Sequence, residues 1–369
     1  MKKAYISEQQ NGLKLFHQAG PFTFKSGAVI DELILAFETY GELSEKKDNV
    51  VVVHHALSTG SHVASHSKNK TAGWWETMVG PSKPIDTNQV FVICINNLSG
   101  CYGSSGPSTI SPRTNKPYQL DFPITTFSDI VQSQKILIDF LGIDKIQTIV
   151  GCSVGGMTSL QWALDFPDSV NTVFLASTCH KAYPANVANR TVQREIIQLD
   201  PDWKNGYYQK NPTKGLMIAR KLGFYTYKSQ AEFNRRFEFS QLEHPVTKLH
   251  DKTSEIEHYL EYNAAKFTKI FDANSYLYIT KAMDLYNTTD NSTNEHEAFK
   301  RIKAKVTVLS VNTDILFPPF QQEQIYLLMK SAGVDVNYVE YQSTNGHDTF
   351  LIETDEIGRY INELITDRN

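Results

Sequence analysis

The stretch IQTIVGCSVGGMTSLQWALDF, Ile146–Phe166, decides the fold. An apolar, β-branched run, IQTIV, leads into Gly151-Cys152-Ser153-Val154-Gly155, and a helix-patterned segment, GMTSLQWALDF, follows at once. Strand, Gly-x-Ser-x-Gly and helix in that order describe a nucleophile elbow: the serine sits on a strained turn, and side chains at the flanking glycines would clash. Without those flanks the five residues would read as an ordinary glycine-rich loop.

Working outward, similar apolar runs recur as VVVVHHAL from Val50, VFVICINNL from Val90, VNTVFLAS from Val170 and VTVLSVNTD from Val306. Such runs, separated by helix-length segments, predict a mainly parallel sheet covered by helices on both faces, an α/β fold. The segment FTFKSGAVIDELILAFETYGEL, from Phe22, alternates more and carries turn residues, which predicts antiparallel strands at the start of the sheet. From about His180 to Ala298 the rhythm changes to polar, helix-patterned sequence. The expected organisation is a core formed by residues 1–179 and 299–369, with residues 180–298 as an inserted helical lid. Asp200, Pro201 and Asp202 read as a turn between lid helices, and LYNTTDNSTNEHEAF, from Leu285, as a polar loop returning to the sheet.

A serine hydroxyl needs a base, and on this architecture the acid and then the histidine follow the serine in the chain. Asp314, just past VTVLSVN, and His347, in STNGHDTF after VDVNYVEY, stand where loops at strand ends would face the elbow. Taken singly, the aspartate could be a turn residue before LFPP and the histidine an exposed loop residue. Together with Ser153 they form a candidate triad. His347 would take the serine proton, Asp314 would orient the imidazole, and an acyl-serine would form. The developing oxyanion needs two backbone donors, expected at Val154, after the nucleophile, and at Leu57, after the strand VVVVHHA.

Composition narrows the function classes. The chain has 369 residues, 41% of them hydrophobic, enough for a large buried core. Its formal net charge of −4 argues against a nucleic-acid partner. No apolar run reaches the roughly 20 residues of a membrane span, and the start, MKKAYISEQQNG, lacks the apolar core of a secretory signal. The four cysteines, Cys94, Cys101, Cys152 and Cys179, form no disulfide or zinc pattern, so a cytoplasmic setting is expected.

Several separate segments resemble those of the homoserine O-acetyltransferases of the MetX type, within the α/β-hydrolase superfamily. They are ETYGEL at Glu38, HALSTGSHVA at His55, GWWETMVGP at Gly73, CYGSSGP at Cys101, GCSVGGM, DPDW at Asp200, FDANSYLY at Phe271 and GHDTFL at Gly346. The resemblance implies an α/β-hydrolase fold and transfer of acetyl from acetyl-CoA to L-homoserine through an acetyl-enzyme, an early step toward methionine. It also implies a homodimer, with acetyl-CoA as co-substrate and no permanently bound cofactor. Matching positions place Arg220, Tyr227 and Asp348 around the amino acid, with Ser58 nearby. An arginine fork suits an α-carboxylate and an aspartate suits an α-ammonium. The sequence departs from the usual pattern at Cys152, Val154, Ser58, Phe224, Tyr225 and Ile270. Rival expectations are a succinyl donor, a serine acceptor, hydrolysis of the acyl group by water, and a non-catalytic binding protein on the same fold.

His54, His55, His62 and His66 crowd one segment, but their spacing supplies neither a carboxylate partner nor HExxH, so no metal is expected. They are expected to pack beneath or line the site. Cys152 precedes the elbow position and is expected to point into the fold. Trp74 and Trp75 read as loop or core anchors.

Overall fold

The computed structural model describes residues 3–237 and 247–367. Nine strands form the main sheet: β1 (Tyr5–Glu8), β2 (Lys14–His17), β3 (Ile34–Tyr40), β4 (Val50–His54), β5 (Phe91–Ile95), β6 (Ile146–Cys152), β7 (Val170–Ala176), β8 (Lys305–Val311) and β9 (Val336–Tyr341). Their order is β1-β2-β3-β5-β4-β6-β7-β8-β9. β1, β2 and β3 pair antiparallel and β3 meets β5 antiparallel, while β5, β4, β6, β7, β8 and β9 run parallel.

The parallel strands are β-branched runs because both of their faces are covered. Val50 and Val52 of β4 join one core cluster, while Val51 and Val53 join another. On the first face α1 (Phe127–Phe140) and α2 (Val154–Asp165) pack together, and α2 lies against β6 and β7. Thr126 and Asp129 close a capping box at the start of α1. Register is fixed in the centre of the sheet, where Val150 stands between Val53 and Phe174.

Between β7 and β8 the described residues form α3 (Pro184–Gln198), α4 (Thr213–Tyr227), α5 (Gln230–Arg236), α6 (Glu255–Thr268), α7 (Ala273–Asp284) and α8 (Glu295–Phe299). After β8 come α9 (Pro319–Ser331), α10 (Thr349–Ile352) and α11 (Thr354–Thr366), and α11 packs against β6 and β7. The insertion has a neck: Lys181 bridges Asn287, and Ala182 N–H donates to Tyr286 O at 2.9 Å. Its apolar side chains, among them Ile197, Leu216, Phe267, Phe271 and Tyr276, belong to the same cluster as the first face of the sheet. Apolar burial therefore seats these helices on the core.

Two readings of the chain change. The sheet begins earlier than Phe22, at Tyr5, whereas Phe22–Thr23 and Val29–Ile30 form a separate small pair. Short half-exposed strands such as YISE carry too little apolar pattern to be recognised alone. The loop expected from Leu285 contains α8, capped by Asn294, and α8 packs against α9 of the core. Residues 238–246 of the expected lid lie outside the described residues.

Candidate active site

At Ser153 the backbone takes φ 58° and ψ −125°, the left-handed side of conformational space, between the end of β6 and the start of α2. That strain is held by close packing on either side. A Cβ at Gly155 would lie 2.0 Å from the carbonyl oxygen of His54, and one at Gly151 would lie 2.2 Å from the Gly155 oxygen. These glycines are required by close approach, since neither adopts positive φ.

The Ser153 hydroxyl donates to His347 Nε2 at 2.9 Å, and His347 Nδ1–H donates to Asp314 Oδ2 at 2.8 Å. The acceptor-only carboxylate sets the tautomer. The other Asp314 oxygen accepts the backbone N–H groups of Leu316 and Phe317 at 2.9 and 2.8 Å, which locks the carboxylate in place. Burial opposes a charged imidazole, but the Asp314 carboxylate and, more weakly, Asp348 outweigh it and raise the His347 pKa above its ordinary value. Thr313 Oγ1 donates to Ser343 O at 2.7 Å and accepts Gly346 N–H at 3.2 Å, tying the acid loop to the histidine loop. Glu353 accepts from Tyr341 at the end of β9 and from Ser343 and Asn345 on the histidine loop.

A cavity of about 180 Å3 opens onto this triad, lined in part by Leu57, Ser58, Ser153, Val154, Arg220 and Asp348. Tyr227, Phe224 and Met283 close its insertion side, and Phe317, Phe350 and Leu351 its core side. Neither Val154 N–H nor Leu57 N–H finds an acceptor among the described residues. His55 braces the Leu57 loop: its Nδ1–H donates to Ala56 O at 2.8 Å and its Nε2 accepts Asn97 N–H at 3.0 Å. Burial pushes the His55 pKa down to about 4 and that of His54, beneath the elbow against Ser159, to about 3. Both imidazoles are therefore neutral at physiological pH.

Arg220, on α4, is only 8% exposed and has no carboxylate partner among the described residues. Its guanidinium lies 4.5, 5.0 and 4.4 Å from the ring centroids of Phe224, Tyr227 and Phe267. It donates to Tyr227 Oη at 3.0 Å and to Ser58 Oγ at 3.1 Å, while its Nε is buried without a partner. Asp348 has a partner that sequence reasoning missed: Lys228 Nζ lies 3.1 Å from its Oδ2. No motif signals Lys228, which follows the last residue of α4 and meets the histidine loop only in the folded chain.

The histidine-rich segment needs one correction. Glu38, from β3, brings the carboxylate that spacing did not reveal: its Oε2 lies 2.9 Å from both His62 Nδ1 and His66 Nε2. The three ligand-type atoms lie within 4.8 Å of one another, yet hydrogen bonds account for this geometry. His62 Nε2 faces Thr71 O at 2.8 Å, so acceptors stand at both of its nitrogens, an arrangement that favours the charged form. Burial opposes that charge, but the hydrogen bond to Glu38 and the Thr71 carbonyl prevail and raise the pKa. Ser61 Oγ and Tyr40 Oη complete the carboxylate's partners, each at 3.2 Å.

Cys152 is buried, and its thiol pKa is raised by desolvation. Trp75 is a core anchor whose indole N–H donates to Phe350 O at 2.8 Å, and Trp74 donates to Gly60 O at 2.7 Å.

The model of the alpha/beta hydrolase fold family matches residues 49–337, and the chain belongs to that family. Within it the chain belongs with the homoserine O-acetyltransferases. It is 40% identical to the homoserine O-acetyltransferase of Methanococcus vannielii over 372 residues, covering 100% of this chain and 75% of that one. It is 41% identical to that of Deferribacter desulfuricans, covering 94% of this chain and 93% of that one. The solved homoserine O-acetyltransferase of Bacillus anthracis superposes with a TM-score of 0.89 at 28% identity, covering 99% of this chain and 98% of that one. A solved esterase follows at 0.88 and 26%, covering 98% of this chain and all of that one.

Proposed function

We propose that this chain transfers an acetyl group from acetyl-CoA to the hydroxyl of L-homoserine through an acyl-Ser153 intermediate. His347 Nε2 takes the Ser153 proton as Oγ attacks the thioester carbonyl, and the oxyanion is received by the N–H groups of Val154 and Leu57. The C–S bond then breaks, and His347 returns its proton to the departing thiolate. In the second half the homoserine hydroxyl attacks the acyl-serine carbonyl with His347 again as base. The acetyl ester leaves, and Ser153 recovers its proton. Asp314 keeps Nδ1 protonated and stabilises the transient imidazolium.

The observation that carries this reading is Arg220, a buried guanidinium without a counter-ion among the described residues, in the same cavity as the nucleophile. Its aromatic surroundings stabilise the cation but leave it short of the charge-assisted partner a buried arginine requires, which an α-carboxylate supplies. Asp348 faces the same cavity and suits the α-ammonium. Among the described residues Arg220 is also the only Lys or Arg lining the cavity, which favours acetyl over succinyl, whose terminal carboxylate would need a second cation. The insertion acts as a lid that keeps water from the acyl-enzyme. Free cysteines suit a cytoplasmic enzyme, and we expect a homodimer.

Likeness to a solved esterase supports a second reading in which water is the acceptor. Thiol release from acetyl-CoA and from succinyl-CoA, each with homoserine, serine or water alone, separates these readings when the acylated product is followed by mass. Acetyl transfer that requires homoserine is the expected result. Equal release with water alone would establish hydrolysis instead.

A further inference from the structure

Lys228 is only 7% exposed, and its backbone is fixed against the histidine loop. Gly346 adopts φ +66°, and a Cβ there would lie 2.6 Å from Ser229 N and 2.9 Å from Lys228 C. The Ser229 hydroxyl also donates to Thr344 O. The junction between α4 and α5 is therefore joined tightly to the loop that carries His347 and Asp348. From that junction Lys228 Nζ reaches Asp348 Oδ2 at 3.1 Å.

Asp348 lines the cavity, whereas Lys228 does not. The carboxylate thus stands between the substrate space and an internal ammonium. An acceptor ammonium entering from the cavity would have to share Asp348 with a like charge that is shielded from solvent, where screening is weak. Arg220 and Lys228 are balanced by Asp348 and by Asp314 behind His347, so these charges sum to zero with Lys228 and to one negative charge without it. A zwitterionic amino acid presents no net charge to that field, whereas the corresponding hydroxy acid without its amine is a monoanion, which the field would repel if Lys228 were absent.

We infer that Lys228 is a specificity-determining residue that weakens recognition of the acceptor's α-ammonium and admits ω-hydroxy carboxylates lacking the amine. This inference rests on the acyl transfer proposed above and on Asp348 facing the acceptor. Lys228 acts through Asp348 and takes no part in bond making. Its effect falls on the ratio of acceptors rather than on the acylation chemistry.

The test compares kcat/KM for L-homoserine with that for 4-hydroxybutyrate, which keeps the hydroxyl and carboxylate and lacks the amine. Both are measured on the same preparation, with acetyl-CoA as donor, so a misfolded fraction cancels in the ratio. Wild type should acylate both acceptors. Lys228→Gln should raise the homoserine-to-hydroxybutyrate ratio by roughly tenfold or more, because one buried charge beside the ammonium is removed. Lys228→Arg, which keeps the charge, should retain the wild-type ratio. An unchanged or lower ratio in Lys228→Gln overturns the inference, as does a Lys228→Arg enzyme that behaves like Lys228→Gln, because charge would then not be the cause. Failure to acylate 4-hydroxybutyrate while homoserine is acylated removes the broadened specificity. Wild type that transfers to neither acceptor defeats the acyl-transfer reading itself.

Discussion

Ser153 and Arg220 line one cavity, yet they are held in different ways. Ser153 is placed by main chain: a strand end, a helix start and glycines packed within 2.2 Å of where a Cβ would sit. Arg220 is placed by side chains from distant parts of the sequence, including Phe267 on α6 and Ser58 on the loop after β4. A serine held by backbone is positioned by a local pattern that tolerates little change. A guanidinium held by rings and hydroxyls can be retuned by substitution at any of them. The difference separates a rigidly placed hydroxyl from an adjustable choice of acceptor.

The sharpest way to break the comparison is at the elbow. Ser153→Ala should lower kcat by about 10^4-fold or more, with no acyl-enzyme visible by mass after mixing with acetyl-CoA. Normal turnover in that variant would sink the mechanism.

Asp314→Asn should leave the fold intact and cost on the order of 10^4-fold in kcat, because the imidazole loses its tautomer and its stabilising charge. The wild-type pH profile carries a sign. With the His347 pKa raised above its ordinary value, the base is lost as pH falls through that raised value, so the acid limb of kcat/KM should lie above about pH 6.5. The limb in Asp314→Asn should move to lower pH. A wild-type limb well below pH 6 would show that another group controls it.

On the adjustable side, Arg220→Ala should reduce kcat/KM for homoserine by about 10^2-fold, the scale for removing one partner of a desolvated charge pair. Single-turnover acylation by acetyl-CoA should fall much less. Equal loss in both half-reactions would remove the guanidinium from acceptor recognition.

The smallest effect is expected away from the cavity. Glu38→Gln should destabilise the chain by roughly 1–3 kcal/mol, since His62 and His66 lose a charged acceptor. His62 is raised above its unfolded value, so its contribution is complete below that value and fades as pH rises through the folded one. Urea titrations at pH 6 and pH 9 should therefore show the wild-type advantage over Glu38→Gln shrinking at the higher pH. An advantage that grows with pH would reverse the assignment of charge to His62.

Much of this was open to reading from one dimension. The parallel strands announced themselves because a strand buried on both faces must be continuously apolar, as in VVVVH and IQTIVGC. Ser153, Asp314 and His347 could be named because chain order and strand-end position are properties of the sequence once the elbow is recognised. β1 and β2 escaped because short half-exposed strands carry little pattern, and α8 because five residues are too few for a helical period.

The amino-acid sequence by itself determined the elbow that carries Ser153, the chain order of Asp314 and His347 after it and the α/β architecture, since local backbone preference and apolar periodicity encode all three. Only the tertiary structure decided that Arg220 meets aromatic rings and hydroxyls and no carboxylate among the described residues, that Glu38 reaches His62 and His66, and that Lys228 reaches Asp348. Each of these is a meeting of charges from separate elements, and its energy depends on distance and burial, which exist only once the chain has folded.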